Sequence, residues 1–516
     1  MRGGAQRRRS NLKTQNALYK ETMIKLTTSE EIKKHESEWI KENGPESSLK
    51  LMEKAGKVLA EVSLECSEPY FIICGKGNNG GDGMVCARYL ISAGKKVYLF
   101  LTSDEESLSS DSKINFNLIK DKIKYSILKK ENDQGFISVL NSSNTVIDCL
   151  LGTGSSKQLP PLYEWIIKEV NRAKKTVIAC DIPTGVNPDS GNVLTNAIEA
   201  NHTVTYEFYK IGTMLYPGRK HCGKIKLVDI GLPDIKTNYF LLDDDFLKKN
   251  LPKRSNDSNK GSFGRTLLVC GSSQYPGAAL LSSRAASVIG SGLTCLSSPE
   301  EVLFKIASAI PEIIHVKFDI NKILEESSKA SAVVIGPGLT TEPKIKELVE
   351  KLIESVNSPI VLDADGINVL AGNKALIKKA KKEIVLTPHP KEFARLLEIS
   401  TDEVLNNKLD LVRSSASELG CTIVLKGPGT IIGTKEGKIY ISPFSNSALA
   451  KGGTGDVLAG FIGGLISQGL NPETAACVAV YLHGKLAEVI SKEKTEYSLL
   501  PQDLIDHLPE VMKLYV

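Results

Sequence analysis

From about residue 70 onward the chain alternates short, continuous apolar runs with stretches of helical spacing. Phe71-Ile72-Ile73-Cys74, Lys96 to Leu101, Thr145 to Leu150 and Thr176 to Cys180 have the length and content of strands, and Met84 to Ala93 that of a helix. Met23-Ile24-Lys25-Leu26 is an earlier candidate strand. Strands that are apolar throughout, separated by helices, predict a parallel sheet covered on both faces. Leu241 to Asn259 is polar and charged and carries Pro252, which makes it a domain boundary. The alternation then restarts at Thr266 to Cys270, Ala332 to Ile335, Pro359 to Leu362, Glu383 to Leu386 and Thr422 to Leu425. A hairpin follows, Thr430 to Gly433 and Lys438 to Ser442, turning at Lys435-Glu436-Gly437. The loop Ser103 to Ser112, rich in Ser, Asp and Glu, reads as a solvated turn, and no short-period repeat is found. The fold class is therefore α/β, as two tandem domains.

Length agrees, since 516 residues exceed one ordinary core. Hydrophobic content of 41% and charged content of 24% are those of a globular protein. The net charge is +5, yet Arg2, Arg7, Arg8, Arg9, Lys13 and Lys20 precede the first acid, Glu21. The rest is close to neutral, so charge supplies no argument for a nucleic-acid partner. Residues 1–22 read as a basic, disordered tail or as the product of a start codon placed ahead of Met23; a transit peptide is the alternative. No apolar run approaches the roughly 18–20 residues that span a bilayer, and no secretory h-region is present. The ten cysteines form no C-x-x-C pair, and Cys74, Cys149, Cys180 and Cys270 lie inside apolar strands. Buried thiols in a reducing, cytoplasmic setting fit this better than disulfides or zinc.

The candidate chemistry clusters at strand ends. Gly75-Lys76-Gly77-Asn78-Asn79-Gly80-Gly81-Asp82-Gly83 follows one strand and precedes a helix. It contains G-x-G-x-x-G, but the acid that a dinucleotide fold places about 20 residues on has only Asp104 as candidate. Two amides and a carboxylate in a flexible loop can bind ribose, phosphate or amide groups, or offer oxygens to a hard cation. Asp148, followed by Leu150-Leu151-Gly152-Thr153-Gly154, and Asp181, followed by Ile182-Pro183-Thr184-Gly185, close two further strands. Either Asp alone would be an ordinary turn or cap residue. Three such ends in one parallel sheet converge on one crevice.

These stretches resemble the NAD(P)H-hydrate epimerase family, or YjeF N-terminal domain, across about residues 23 to 235. The resemblance implies a Rossmann-like three-layer α/β/α domain over 23–240. It implies that Asn78, Asn79, Gly80, Gly81, Asp82, Gly152, Thr153, Gly154, Ser155, Ser156, Lys157 and Gln158 hold the nucleotide. By the same resemblance Asn79, Asp148 and Thr184 bind potassium, with Thr184 where serine is usual. Asp181 is the implied proton-transfer residue, and Lys210 fits a family position whose role is open.

The second half carries Lys451-Gly452-Gly453-Thr454-Gly455-Asp456 ahead of an apolar run from Val457 to Ile466. A glycine-rich turn feeding a helix presents free N–H groups and the positive end of the dipole to an anion. A carboxylate there is a natural base for a hydroxyl attacking phosphorus. Loops with Gly336-Pro337-Gly338, Asp363-Ala364-Asp365-Gly366, Thr387-Pro388-His389 and Lys426-Gly427 close successive strands. No P-loop motif occurs. This half resembles the ribokinase-like superfamily and, within it, the ADP-dependent NAD(P)H-hydrate dehydratases, over 241–516. The resemblance implies that Ala278, Gly338, His389 and Asp456 contact the hydrated dinucleotide, and that Lys426, Gly427, Pro428, Gly429, Thr430 and Gly455 contact AMP or ADP. Asn259, Thr340 and Phe444 to Ala450 depart from the family pattern.

Together the resemblances imply a bifunctional enzyme acting on NADHX and NADPHX, with Asp456 and Asp181 catalytic, potassium in the first domain, and magnesium and ADP in the second. A homo-oligomer in the cytoplasm is expected, with neither nucleic acid nor membrane as partner. A small-alcohol kinase on the second fold, a non-catalytic nucleotide sensor and a plain Rossmann dehydrogenase are the alternatives; each leaves Asn78-Asn79 or the pair of acids unexplained.

Overall fold

The structure is a computed structural model that describes residues 23–154 and 158–516. The basic tail therefore lies outside the described residues, as do Ser155, Ser156 and Lys157. Lys25–Tyr239 forms one compact unit and Phe240–Val516 forms the main body of a second.

The first unit is built on a seven-stranded sheet in which every paired strand is parallel. Its strands are β2 (Tyr70–Cys74), β3 (Val97–Leu101), β4 (Lys124–Ile127), β5 (Thr145–Cys149), β6 (Thr176–Cys180), β7 (His202–Tyr206) and β9 (Lys224–Val228). They run in the order β4-β3-β2-β5-β6-β7-β9. A short parallel pair, β1 (Ile24–Thr27) and β8 (Tyr209–Lys210), lies apart from it. Alternation along β2 shows why two faces are covered. Tyr70, Ile72 and Cys74 enter one core with the helices Glu46–Ser63 and Asn78–Ser92. Phe71 and Ile73 enter another with Phe136 and Trp165. The result is three layers, with the sheet apolar on both sides.

A short strand β10 (Tyr239–Leu241) leads along the chain into the second unit. There β11 (Arg265–Val269), β12 (Leu293–Ser298), β13 (Ile314–Lys317), β14 (Ala332–Ile335), β15 (Ile360–Leu362), β16 (Ile384–Leu386) and β17 (Thr422–Leu425) are parallel, in the order β13-β12-β11-β14-β15-β16-β17. The expected hairpin, β18 (Ile431–Gly433) and β19 (Ile439–Ile441), extends this sheet antiparallel. The helix Thr454–Ser467 is buried from Val457 to Ser467, packed with the helices Pro276–Val288 and Pro472–Glu493 in one core.

The segment Leu241 to Asn259 packs into the second unit: Asp244–Asn250 is helical, and Leu242, Leu247 and Leu251 are buried in the second core. Its charges are the outer face of an amphipathic turn. The loop Ser103–Ser112 is not merely solvated. Ser109 N–H donates to the Lys76 carbonyl at 2.9 Å and Ser112 Oγ to the Gly77 carbonyl at 3.0 Å, so it braces the glycine-rich turn. Finally, the helix expected at Met84 begins at Asn78. The Asn-Asn-Gly-Gly-Asp stretch is its first turn rather than a flexible loop. Its glycines serve packing: a Cβ on Gly80 would meet the Gly75 carbonyl at 1.9 Å.

Candidate active sites

In the first unit a cavity of about 420 Å³ opens at the carboxyl ends of the strands. Asn78, Asn79, Asp82, Gly152, Thr153, Gly154 and Asp181 all line it. Gly80 and Gly81 stand behind the lining, buried in the helix, and Gln158 is exposed away from it. Gly77 takes the N-cap position without a side-chain cap, so the first N–H groups of the helix stay available to an anion.

Asp181 terminates β6 in the left-handed region, at φ +65°. That geometry turns its carboxylate back into the cavity, where Oδ1 is 2.5 Å from Lys210 Nζ and accepts from Thr205 Oγ1 at 3.1 Å. Lys210 is almost fully buried and also donates to the Tyr206 carbonyl at 2.9 Å. The lysine whose role the sequence left open is thus the direct partner of Asp181. Asp82 is pushed well above the usual carboxylate range by burial and by the nearby Asp181 and Glu36. Glu36, which no motif singled out, also lines this cavity.

Asp148 and Thr184 sit together behind the wall. Asp148 accepts from Thr184 N–H at 2.8 Å, Thr184 Oγ1 at 2.7 Å and Leu150 N–H at 3.2 Å. Burial pushes its pKa up to about 6 against the pull of those bonds. Asn79 Nδ2 is buried without a partner, and its Oδ1 faces Gly152. One carboxylate among neutral amide and hydroxyl oxygens is a donor set suited to a hard cation of low charge.

The second unit holds a larger cavity, about 670 Å³, again at strand ends. It brings together Asp363, His389, Lys426, Gly427, Pro428, Thr430, Gly453, Thr454, Gly455 and Asp456. Gly429 lies behind, its N–H on the Phe444 carbonyl at 3.1 Å. Ala278 and Gly338 lie near one another outside this cavity's lining; a Cβ on Gly338 would come within 2.8 Å of the Ala278 Cβ. Thr340 lies in the left-handed region, at φ +74°, and its N–H donates to Asp365 Oδ2.

The turn before Asp456 is shaped by Gly453, whose φ of +98° opens the helix with no side chain capping it. Thr454 Oγ1 donates to the Leu449 and Lys451 carbonyls, and Lys451 Nζ to the Tyr497 and Leu499 carbonyls, which fixes the turn from both sides. His483 is buried beside it, its Nε2 3.0 Å from the Thr454 carbonyl, and burial lowers its pKa to about 4. The ring is therefore neutral and donates to that carbonyl.

Facing this turn, Lys426 Nζ donates to Asp363 Oδ1 at 2.7 Å and stands 4.0 Å from Glu392 Oε2. Burial opposes the charge of Lys426, but Asp363, Glu392 and Asp456 outweigh it and raise its pKa. Burial, with Asp363 adding, pushes Asp456 up to about 7. Asp363 also accepts from Thr387 Oγ1 at 2.6 Å. His389, which lines the cavity, caps the helix Pro390–Leu397 through Nδ1, which accepts from Lys391 and Glu392 N–H, while its Nε2 stands 3.4 Å from Glu392 Oε1. Asp363 was missed as a site residue, its signal a carboxylate at a strand end; Glu392, buried behind the lining, was missed as a neighbour of Lys426, its signal the third position of a capping box.

Residues 266–510 match the family model described as NAD(P)H-hydrate dehydratase, and residues 48–212 the one described as YjeF-related protein N-terminus. A protein of Moorella thermoacetica called bifunctional NAD(P)H-hydrate repair enzyme Nnr is 33% identical over 492 residues, covering 90% of this chain and 92% of that one. The chain belongs to the bifunctional NAD(P)H-hydrate repair enzyme family. Its Escherichia coli relative of the same description is 30% identical over 479 residues, 90% of this chain and 89% of that one. Among solved structures, an ADP/ATP-dependent NAD(P)H-hydrate dehydratase of Bacillus subtilis, co-crystallised with ATP and Mg2+, is 34% identical. It covers 53% of this chain and 98% of its own, with TM-score 0.49. The YjeF-related match falls within the first unit and the dehydratase match within the second.

Proposed function

We propose that the first unit interconverts the R and S epimers of NADHX and NADPHX, and that the second dehydrates the S epimer with ADP, giving NAD(P)H, AMP and phosphate. Asp456 carries the second half of this reading. It is a half-buried carboxylate at the uncapped start of a helix, with Lys426 in reach across the cavity. As base it takes the proton of the ring hydroxyl, whose oxygen attacks the β-phosphorus of ADP and displaces AMP. The N–H groups of Gly453 and Gly455 meet the charge that develops on the phosphoryl oxygens, while that of Thr454 holds the turn on the Lys451 carbonyl. Loss of phosphate from the ring carbon, with loss of the adjacent C5 proton, restores the C5=C6 double bond. Lys426 to Thr430 and Gly455 take the nucleotide, while Ala278, Gly338 and His389 take the hydrated dinucleotide.

Magnesium supplies charge neutralisation for the phosphates. Asp363, whose Oδ2 lies toward Gly455, is the carboxylate that would hold it, leaving Asp456 free as the base. In the first unit Asn79, Asp148 and Thr184 are the set for potassium, supported by the unpartnered amide of Asn79. Asp181, oriented by Lys210, moves the proton at the hydrated ring. The ten thiols, free and mostly buried, support work in a reducing compartment such as the cytoplasm. Among the described residues no helix is long and apolar enough to cross a membrane.

A mixed preparation of R- and S-NADHX tests this. With ADP and Mg2+, the near-ultraviolet absorbance of reduced nicotinamide is expected to recover for both epimers. Asp456→Asn is expected to abolish recovery. No recovery with either ADP or ATP would refute the dehydratase assignment, and recovery that stalls at the S fraction would refute the epimerase.

A further inference from the structure

The helix Ser29–Asn43 carries one carboxylate on its inward side. Ile32, His35, Glu36, Trp39 and Ile40 form the less exposed stripe, whereas Lys33, Lys34, Ser37, Glu38, Lys41 and Glu42 face water. A capping box between Thr28 and Glu31 fixes the start of the helix. His35 Nε2 meets the Pro233 carbonyl at 2.8 Å, so the register that points Glu36 inward is set on both sides of it. Burial raises the pKa of Glu36 in spite of Lys210; Asp181, His35 and Lys33 are the other charged groups that act on it, and it acts in turn on Asp82. Among the described residues its carboxyl makes no hydrogen bond or ion pair, yet it lines the same cavity as Asp181 and Lys210. A leucine or isoleucine would serve the packing of that stripe without the desolvation penalty. A half-buried, unpartnered carboxyl on a cavity wall is one placed to meet a partner that arrives with the ligand. Three carboxyls line the cavity: Asp82 lies beside the Cys180 thiol, Asp181 is salt-bridged at 2.5 Å, and Glu36 is unpaired; the last two, one held charged and one not, are the arrangement of a base and an acid.

We propose that Glu36 is a second catalytic acid–base residue of the epimerase site, paired with Asp181. This rests on the epimerase reading of the unit. The inverted carbon, C6, bears the hydroxyl and is bonded to ring nitrogen N1. One carboxyl, protonated, gives its proton to the departing hydroxyl; the C6–O bond breaks, water leaves, and the N1 lone pair forms a C6=N1 iminium. Water then adds to the other face of C6, the C=N electron pair returns to N1, and the second carboxylate takes the proton. The two carboxyls end with their protonation exchanged, ready for the reverse inversion or for resetting by solvent. The helix that carries Glu36 and the end of β6 that carries Asp181 are separate walls of the cavity, so the two groups need not compete for one face of the ring.

The test uses the full chain, with R-NADHX inversion followed by its coupled dehydration. For Glu36→Gln, kcat for inversion is expected to fall about 100-fold or more with KM little changed. Glu36→Asp, which keeps a carboxyl, is expected to retain about a tenth of the rate and carries the test if the glutamine variant fails to fold. In water labelled with heavy oxygen, the wild type is expected to place label in the C6 hydroxyl as it inverts. Inversion without label, a rate within about threefold of wild type for Glu36→Gln, or a raised KM at unchanged kcat would each overturn the assignment. A wild-type chain that dehydrates S-NADHX but never inverts the R form would overturn the epimerase reading itself.

Discussion

At the scale of single residues, Asp456 concentrates the conflict between stability and function. Its pKa of about 7 lies above the roughly 3.9 of an unfolded aspartate, so the fold prefers the neutral form. The stability this gives is present below the unfolded value and is lost as pH rises through about 7. In its proposed role as base, however, it must be ionised. Dehydratase kcat is therefore expected to climb with pH through about 7 and level off above it; a profile flat from pH 5 to 8 would count against Asp456 as base. Asp456→Asn is expected to lower activity on the order of 10³-fold and to raise stability at pH 8 on the order of 2 kcal/mol, with the gain shrinking toward pH 5, as read by thermal melts. The neighbouring pair behaves in the opposite sense. Lys426→Met strands the buried Asp363 and is expected to cost about 3 kcal/mol as well as nucleotide affinity, measurable by melting and by ADP titration.

At the scale of elements, the helix Asn78–Ser92 is held where its first turn can face a ligand because it lies against the Gly75 turn without intervening side chains. Gly80→Ala would drive a methyl into the Gly75 carbonyl, and no rotamer change relieves a backbone clash. A loss of about 3 kcal/mol and of R-NADHX inversion is expected, with S-NADHX dehydration kept. An alanine variant with unchanged melting would show that the turn yields. The same element shows where sequence reading stops. The spent glycines were legible, but flexible turn and tight packing use the same residue, and only the position of Gly75 tells them apart.

At the scale of the whole molecule, two compact units each carry a cavity at the carboxyl ends of a parallel sheet. Separate sites predict separable defects. Asp181→Asn in the full chain is expected to leave S-NADHX dehydration intact while a mixed substrate stalls at its S fraction; Asp456→Asn is expected to leave R/S interconversion intact, read by chromatography. Loss of both activities in either variant would mean that the sites are coupled. The amino-acid order alone determined the α/β class, most of the core strands, the two motif-bearing loops and the positions of Asp181 and Asp456 at their ends, because apolar runs and glycine-rich turns are local patterns. The edge strands β4, β9 and β13 escaped it because one face is wet, and the buried interior strands β7 and β12 escaped it because threonine and serine break their apolar runs. Tertiary structure alone decided that Lys210 meets Asp181, that Lys426 bridges toward Asp363 and Glu392, and that Glu36 points inward. Those pairings join residues far apart in the chain, and a charge declares its role only when folding removes its water and leaves one neighbour within reach.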